Sequence, residues 1–359
     1  MNKKIIFSAG GTGGHIFPAI NLMSHFSNKG YKTALVTDKR GNNFISKKSN
    51  FISYILKVDT PTNKNLIKKF FSLFVIFNSI IKSIIILKRE KPDLIIGFGG
   101  YVSFPISLSS IFFKIPLIIY ENNLVLGRAN KILLPFCNKI LLGSKVPINF
   151  PDKYKHKIKQ IGYILSDNII KYSPSKKKKE NNIFSILVLG GSQGAEIFGK
   201  LIPPVIKFIK EKGYNVEITQ QCTKFQKEEI EGFYNQNNIK NNIFDFTDNI
   251  VDLLSSTSLA ISRCGASTLA ELAYTGTPFI AIPLPNSIDN HQYLNAKFYE
   301  EEGSCWVIEQ HNISFTTLSN LVIKIIEDKK TLKSMRENIK KNNNKNVYIK
   351  IKELIEEFV

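Results

Sequence analysis

KKIIFSAGGTGGHIFP (residues 3–18) decides the fold. Its apolar run stops after Phe7 in a glycine-rich turn, and a helical pattern follows over residues 16–26. A short apolar run, a glycine turn and then a helix open a parallel βαβ unit. The run is too short for a signal peptide and reads as a first strand. In Gly10-Gly11-Thr12-Gly13-Gly14-His15, glycine lets backbone N–H groups approach an anion at a helix start, where the helix dipole favours negative charge. The competing reading is a plain strand-to-helix turn. The dinucleotide fingerprint fails, because Ile16 stands where the last glycine of GxGxxG is needed.

Short β-branched runs recur at residues 34–37, 94–97, 117–120 and 140–142, with helical stretches between them. The class is α/β. A polar break at residues 162–182 contains Ser173-Pro174-Ser175 and four consecutive lysines, the composition of a linker or exposed loop. The pattern then restarts at residues 186–189, followed by Gly190-Gly191-Ser192-Gln193-Gly194. Further strands are expected at 216–220, 243–246, 259–262, 279–282 and 305–308. The chain therefore divides into two doubly wound domains, 1–162 and 163–341. A terminal helix at about 342–359 is expected to pack back on the first. A length of 359 residues agrees with two cores.

A net charge of +20 admits nucleic acid, an anionic membrane or phosphorylated substrates as partners. Arginine occurs only at Arg40, Arg89, Arg128, Arg263 and Arg336, while Lys, Asn and Ile abound. That bias also follows from an AT-rich genome, so local clusters carry the argument. The four cysteines, Cys137, Cys222, Cys264 and Cys305, lack metal-ligand spacing and read as reduced thiols.

Gly97-Phe98-Gly99-Gly100-Tyr101 follows the strand at 94–97, and the Gly190 turn follows 186–189. With the first turn, this makes room for two phosphate-bearing ligands. In Ser262-Arg263-Cys264-Gly265-Ala266-Ser267-Thr268-Leu269-Ala270-Glu271 a helix should open at 265–268. Glu271 lies one turn in, sharing a face with Ser267 and Thr268. A carboxylate there can accept hydrogen bonds from both ribose hydroxyls, or it is a dipole partner for the helix start. His15 can act as a general base, an anion contact or a capping residue. No paired aspartates adjoin a glycine turn, so no divalent-metal site is expected for the diphosphate. Helix starts and backbone donors must stabilise it instead.

GGTGGHIFP (10–18), GFGGYVSFP (97–105), GGSQGA (190–195), SRCGASTLAELAYTGTP (262–278) and DNHQYLNA (289–296) resemble, in order and spacing, the motifs of the MurG family of glycosyltransferases. The resemblance spans nearly the whole chain. It implies a GT-B fold, with two Rossmann-like domains facing a cleft. It implies inverting transfer of N-acetylglucosamine from UDP to a muramoyl-pentapeptide on undecaprenyl diphosphate, the peptidoglycan precursor. It calls for no metal and no cofactor, no nucleic acid partner, and a peripheral place on the cytoplasmic face of the cell membrane.

By the same resemblance, Thr12, Gly13, Gly14 and Asn123 contact the donor sugar and Ser192 its diphosphate. Ala266, Ser267, Thr268, Leu269 and Glu271 hold diphosphate and ribose. Phe246 and Thr247 lie beside the uracil. Gln292, more than His291, reaches the sugar. Gly99, Gly100, Tyr101 and Glu121 are assigned to the acceptor. Two departures stand out: Ser166 occupies the place of an arginine at the domain junction, and Leu124 replaces a glycine.

The stretch KNLIKKFFSLFVIFNSIIKSIIILKR (64–89) is long and apolar. On a helical wheel Lys64, Lys68, Ser72, Ser79, Lys82 and Arg89 form one polar stripe. Phe70, Phe71, Phe74, Phe77, Ile81 and Ile84 belong to the wide apolar remainder. The expectation is a helix that packs one apolar side on the sheet and offers the rest to an anionic membrane, with Phe112, Phe113 and Lys114 extending the patch. The alternative is a fully buried core helix. Rival functions are a transferase acting on diacylglycerol, a UDP-N-acetylglucosamine epimerase of the same architecture, and a binding subunit without catalysis.

Overall fold

A computed structural model describes residues 3–45, 51–58, 66–171, 183–191, 196–247, 250–341 and 346–359. Thirteen strands form two parallel sheets among these residues. The first contains β1 (Lys4–Ser8), β2 (Lys32–Thr37), β3 (Ile52–Ile55), β4 (Leu94–Gly97), β5 (Leu117–Glu121), β6 (Lys139–Leu142) and β7 (Ile158–Gln160). Its order is β3-β2-β1-β4-β5-β6-β7. The second contains β8 (Phe184–Leu189), β9 (Val216–Gln221), β10 (Asn241–Phe244), β11 (Leu259–Ser262), β12 (Phe279–Ala281) and β13 (Cys305–Val307). Its order is β10-β9-β8-β11-β12-β13.

Helices cover both faces of a parallel sheet, so its central strands must be apolar throughout. Ile5, Ile6 and Phe7 of β1 and Ile186, Leu187 and Val188 of β8 are all fully buried. In each sheet the order reverses beside the first strand, between β1 and β4 and between β8 and β11. Ligands of doubly wound sheets bind outside the carboxyl ends of the strands at such switch points. Both switch points carry glycine turns.

Two strands have no counterpart in the sequence reading. β3 and β7 are the sheet's outermost strands, and they lack the unbroken buried run that marks a central strand. β10 lies two residues earlier than expected, at Asn241–Phe244, which leaves Phe246 beyond its end.

By its internal contacts the chain falls into two units. One is Met1–Asp167 with Asn344–Val359, and the other is Asn168–Asn343. The expected linker at 162–182 is therefore part of the first unit as far as Asp167, and residues 172–182 lie outside the described ones. The terminal helix Val347–Glu356 packs in the first unit. Tyr348 stacks on His25 at 4.3 Å between ring centres and donates to the Leu165 carbonyl at 2.6 Å.

In helix Leu66–Glu90 the apolar Ile86 and Leu87 join the core of the first unit as expected, but the serines of the expected polar stripe turn inward too. Ser72, Ser79 and Ser83 are buried, whereas Phe71, Phe74, Phe77, Ile81 and Ile85 are exposed. The helix packs along helix Ser103–Ser109, where Ser107 and Ser109 are buried too, while the Ser79 hydroxyl donates to the Lys57 carbonyl. Small side chains let the two helices approach closely. Their hydroxyls return to backbone carbonyls, Ser83 to Ser79 and Ser109 to Pro105, both at 2.7 Å. The expected polar stripe is thus split: its serines are buried, while Lys82 and Arg89 are exposed. Lys64 and the side chains of Lys68 and Phe70 lie outside the described residues. A helical wheel tells which residues share a face, not which face the neighbours cover.

Candidate functional site

In the first unit three loops meet at the carboxyl ends of β1, β4 and β5. Gly11 takes a φ of +82°, after which helix Gly13–Asn28 begins. Thr12 is its N-cap residue, exposed and without a side-chain capping bond. Asp38, just past β2, accepts from Gly11 N–H at 3.3 Å and Gly41 N–H at 2.7 Å, and so fixes the turn from the side.

The Gly99-Gly100 turn lies directly on the first one. Both glycines have positive φ, +84° and +76°. A Cβ on Gly99 would stand 3.2 Å from His15 Cε1, and one on Gly100 would stand 2.9 Å from the Gly10 carbonyl oxygen. The His15 imidazole therefore packs against the backbone of the second glycine turn. Gly100→Ala should lower unfolding stability by about 2–4 kcal/mol, the sum of left-handed strain and a backbone contact that cannot yield. Gly30→Ala is the control: φ is +88°, but nothing lies within 4 Å of the new Cβ. It should lose only about 1–2 kcal/mol. Equal losses in urea titrations would mean that the two turns are not in tight contact.

Glu121 departs from its expected role as an acceptor contact. It is only 2% exposed. One carboxylate oxygen accepts from the Asn123 backbone and side chain, both at 3.0 Å. The other accepts from Gly127 N–H at 2.8 Å and Asn130 at 3.0 Å. A carboxylate with both oxygens engaged shapes the loop that presents Asn123 and has little capacity left for a ligand. Asn122, which the sequence reading passed over, donates to the Gly14 carbonyl at 2.9 Å and joins this loop to the first turn. Tyr101 follows Gly100, half-buried.

In the second unit β8 leads into Gly190-Gly191, with Gly191 at φ +81°. Ser192 falls among residues 192–195, outside the described ones. After β11, Arg263 N–H donates to the Leu189 carbonyl at 3.0 Å, which sets the two turns side by side. Its guanidinium is buried, reaching the Ile282 and Pro283 carbonyls and, at 2.6 Å, Gln310 Oε1. It also stacks on Phe198 at 4.9 Å, and burial pulls its pKa down.

Gly265 caps helix Ala266–Thr275, which ends at left-handed Gly276. Ser267 and Thr268 are half-buried at the helix start. Ala266 and Leu269 are buried, and Leu269 N–H is already bonded to the Gly265 carbonyl at 3.0 Å. Leu269 thus anchors the first turn of the helix.

Glu271 differs from Glu121. Among the described residues no hydrogen bond or ion pair engages its carboxyl, and burial lifts its pKa to about 7. A half-buried carboxyl without partners among the described residues is an unfavourable arrangement for the protein alone. Donors from a ligand would relieve it.

Gln292 Oε1 accepts from Cys264 N–H at 3.1 Å and Leu284 N–H at 3.0 Å. Asn295, also unforeseen, donates to the Cys264 carbonyl at 3.2 Å. The Gln292 oxygen is thus committed to the scaffold, and its amide nitrogen is the remaining donor of the side chain. His291 Nδ1 is 2.8 Å from the Ile288 carbonyl, closing the turn before it. Thr247 lies three residues beyond β10, half-buried.

Residues 5–142 match the glycosyltransferase family 28 N-terminal domain, and residues 185–350 match the family 28 C-terminal domain. A protein of Pelagibacter ubique named UDP-N-acetylglucosamine--N-acetylmuramyl-(pentapeptide) pyrophosphoryl-undecaprenol N-acetylglucosamine transferase is 38% identical, covering 97% of this chain and 96% of its own. The Rickettsia felis protein of the same name is 36% identical, covering 99% and 100%. The crystal structure of Acinetobacter baumannii MurG superposes with a TM-score of 0.78 at 24% identity, covering 99% of both chains. A Staphylococcus aureus MnaA–UDP structure reaches 0.68 at 14% identity, covering 99% of this chain and 96% of its own. The fold is therefore GT-B, and fold alone does not choose among the chemistries that use it.

Proposed function

The chain belongs to glycosyltransferase family 28, and from that membership we propose that it transfers N-acetylglucosamine from UDP-N-acetylglucosamine to N-acetylmuramoyl-pentapeptide on undecaprenyl diphosphate. The observation that carries the donor half is Glu271, a half-buried carboxyl with no hydrogen bond or ion pair among the described residues, one turn inside a helix start. Ribose hydroxyls supply the missing donors. The start of helix Ala266–Thr275 and the Gly190 turn receive the diphosphate, with Ser192 assigned to it by resemblance. The amide nitrogen of Gln292 donates to the sugar.

The acceptor 4-hydroxyl oxygen attacks the anomeric carbon as its bond to the UDP oxygen breaks. The configuration inverts and the hydroxyl proton passes to His15. Charge grows on the departing diphosphate, where helix-start N–H groups stabilise it without reorganising. Incubation with UDP-N-acetylglucosamine and the muramoyl-pentapeptide diphospholipid should yield a disaccharide lipid. A glycosylated diacylglycerol, or an epimerised sugar nucleotide without acceptor, would overturn the assignment.

The acceptor's polyprenyl chain stays in the bilayer, so the first unit is proposed to dock at its surface. The segment Phe71–Glu90 is long and apolar enough to cross a membrane. One side of it, however, is buried, with helix Ser103–Ser109 packed along it, which favours a helix lying in the interface. Phe74 and Phe77 are each 59% exposed and Phe112 is 69% exposed, with Lys82, Lys88, Arg89 and Lys114 exposed around them. Each basic residue near anionic headgroups adds about 1 kcal/mol. The protein should float with anionic vesicles, and less so at high salt. Phe74→Asp with Phe77→Asp should cut that binding at least ~10-fold, since each phenylalanine burial contributes about 1.5–3 kcal/mol. Because both side chains are exposed, the melting temperature should hold. An active wild type that never binds anionic vesicles would rule the docking out.

A further inference from the structure

Phe225 is 98% exposed, yet it sits on a turn that is held on both sides. The turn, Lys224–Gln226, follows β9. On one side Cys222 N–H donates to the Phe244 carbonyl at 2.9 Å, and Gln221 donates to the Asp245 carbonyl at 3.1 Å. Lys224 lies 3.8 Å from the Asp245 carboxylate. On the other side the Gln226 side chain donates to the Glu196 carbonyl at 3.2 Å, at the start of the helix that follows the Gly190 turn. Thr223 closes the turn by donating to Gln226 Oε1 at 3.1 Å. A phenylalanine on a fixed turn with almost no contact of its own is a surface kept for something else.

The sheet order shows where that surface lies. β9 and β10 flank β8 on the side away from β11, so the Phe225 turn is at the carboxyl edge beside the Gly190 turn. Phe246, 49% exposed, stands at the same edge beyond β10. A nucleotide whose diphosphate lies over the switch between β8 and β11 must send its base to one flank and its sugar to the other. The flank beyond β11 is occupied by the loop that Gln292 grips through Leu284. The base is left with the β9–β10 flank, where two exposed phenylalanines are waiting and Thr247 follows.

We propose that Phe225 is a further donor-binding residue, an aromatic cover that stacks on the pyrimidine ring of the nucleotide. This rests on the nucleotide reading of the second unit and adds a contact to it. Stacking on any base is tolerant of sequence, so the contact supplies affinity. Choice of base would fall to groups that read its edge.

The test compares UDP with 5,6-dihydro-UDP, whose base is puckered and not aromatic, by calorimetry on the full chain. Alanine substitution of a base-stacking aromatic weakens binding about 5–150-fold. Phe225→Ala should therefore lose at least ~5-fold in UDP affinity and little for dihydro-UDP, while Phe225→Trp restores UDP binding and shows fluorescence quenching on addition. Unchanged UDP affinity in Phe225→Ala, or equal loss for both nucleotides, overturns the stacking role. If the wild type binds UDP and Glu271→Gln loses it while Phe225→Ala binds normally, only this inference falls. A wild type that does not bind UDP removes the nucleotide reading as well. Nearly full exposure of Phe225 means that none of these substitutions should disturb folding.

Discussion

Glu271→Gln is expected to make the ligand-free protein more stable and to weaken UDP binding by about 30–1000-fold. The first half follows from the pKa. Burial raises this carboxyl from 4.5 to about 7 in the folded chain. The folded protein therefore prefers the protonated form. The penalty for holding it ionised is fully present above pH 7, shrinks as pH falls, and is gone below 4.5, the ordinary value. A gap of that size corresponds to at most about 3 kcal/mol. Glutamine has the same shape and no charge, so the variant should unfold later than wild type at pH 8, with the difference fading towards pH 5. The second half follows from chemistry. Ribose hydroxyls donate best to the ionised carboxylate, so UDP selects that form and pulls the pKa down. Wild-type affinity should fall up to ~10-fold per pH unit below 7, the limit for a single proton. Calorimetry in two buffers of different ionisation enthalpy should show proton release on binding near pH 6.5, close to the ligand-free pKa. 2′-Deoxy-UDP should bind less well than UDP. If Glu271→Gln bound UDP normally, the carboxylate would be only a partner of the helix dipole.

Glu271 was legible in the sequence because helix periodicity alone places it on the face of Ser267 and Thr268, one turn from the helix start at Gly265. The α/β class and the central strands were legible for a similar reason: burial on both faces writes an unbroken apolar run into strands such as β1 and β8. β3 and β7 were not, since edge strands carry no such run. The support of the site was hidden altogether. Asn122 bonds Gly14 across 108 positions of sequence, Asp38 bonds Gly11 across 27, and Gln292 reaches back 28 to Cys264. No local pattern distinguishes these polar side chains from loop asparagines, aspartates or glutamines elsewhere. Glu121 illustrates the reverse error. Its motif position suggested a ligand contact, but the fold spends both oxygens on its own loop. The serine face of helix Leu66–Glu90 was misjudged for a related reason. Small hydroxyl side chains suit close helix packing as well as water, and composition does not choose between them.

His15→Ala should lower kcat by about 10²–10⁴-fold, the usual contribution of a positioned proton acceptor, and leave the KM for UDP-N-acetylglucosamine within ~3-fold. The geometry makes this sharper than a lone histidine would allow. The ring packs against Gly99 and Gly100, whose added Cβ atoms would come within 3.2 and 3.5 Å of it. A ring held between two glycine turns is oriented before any substrate arrives, as a base must be to act at the moment of attack. The same packing creates a confounding effect, because removing the ring also removes support from the second turn. His15→Gln keeps much of the bulk and no titratable nitrogen, so it separates the two. If proton transfer is the role, both variants lose kcat alike and both lose the acid limb of the pH–rate profile. That limb should fall with unit slope below the histidine pKa in wild type. If His15 instead serves the anion, donor affinity should collapse while kcat at saturation survives. If it only props the turn, His15→Gln should retain most of the activity that His15→Ala loses, and the two variants should differ in melting temperature by about as much as in rate.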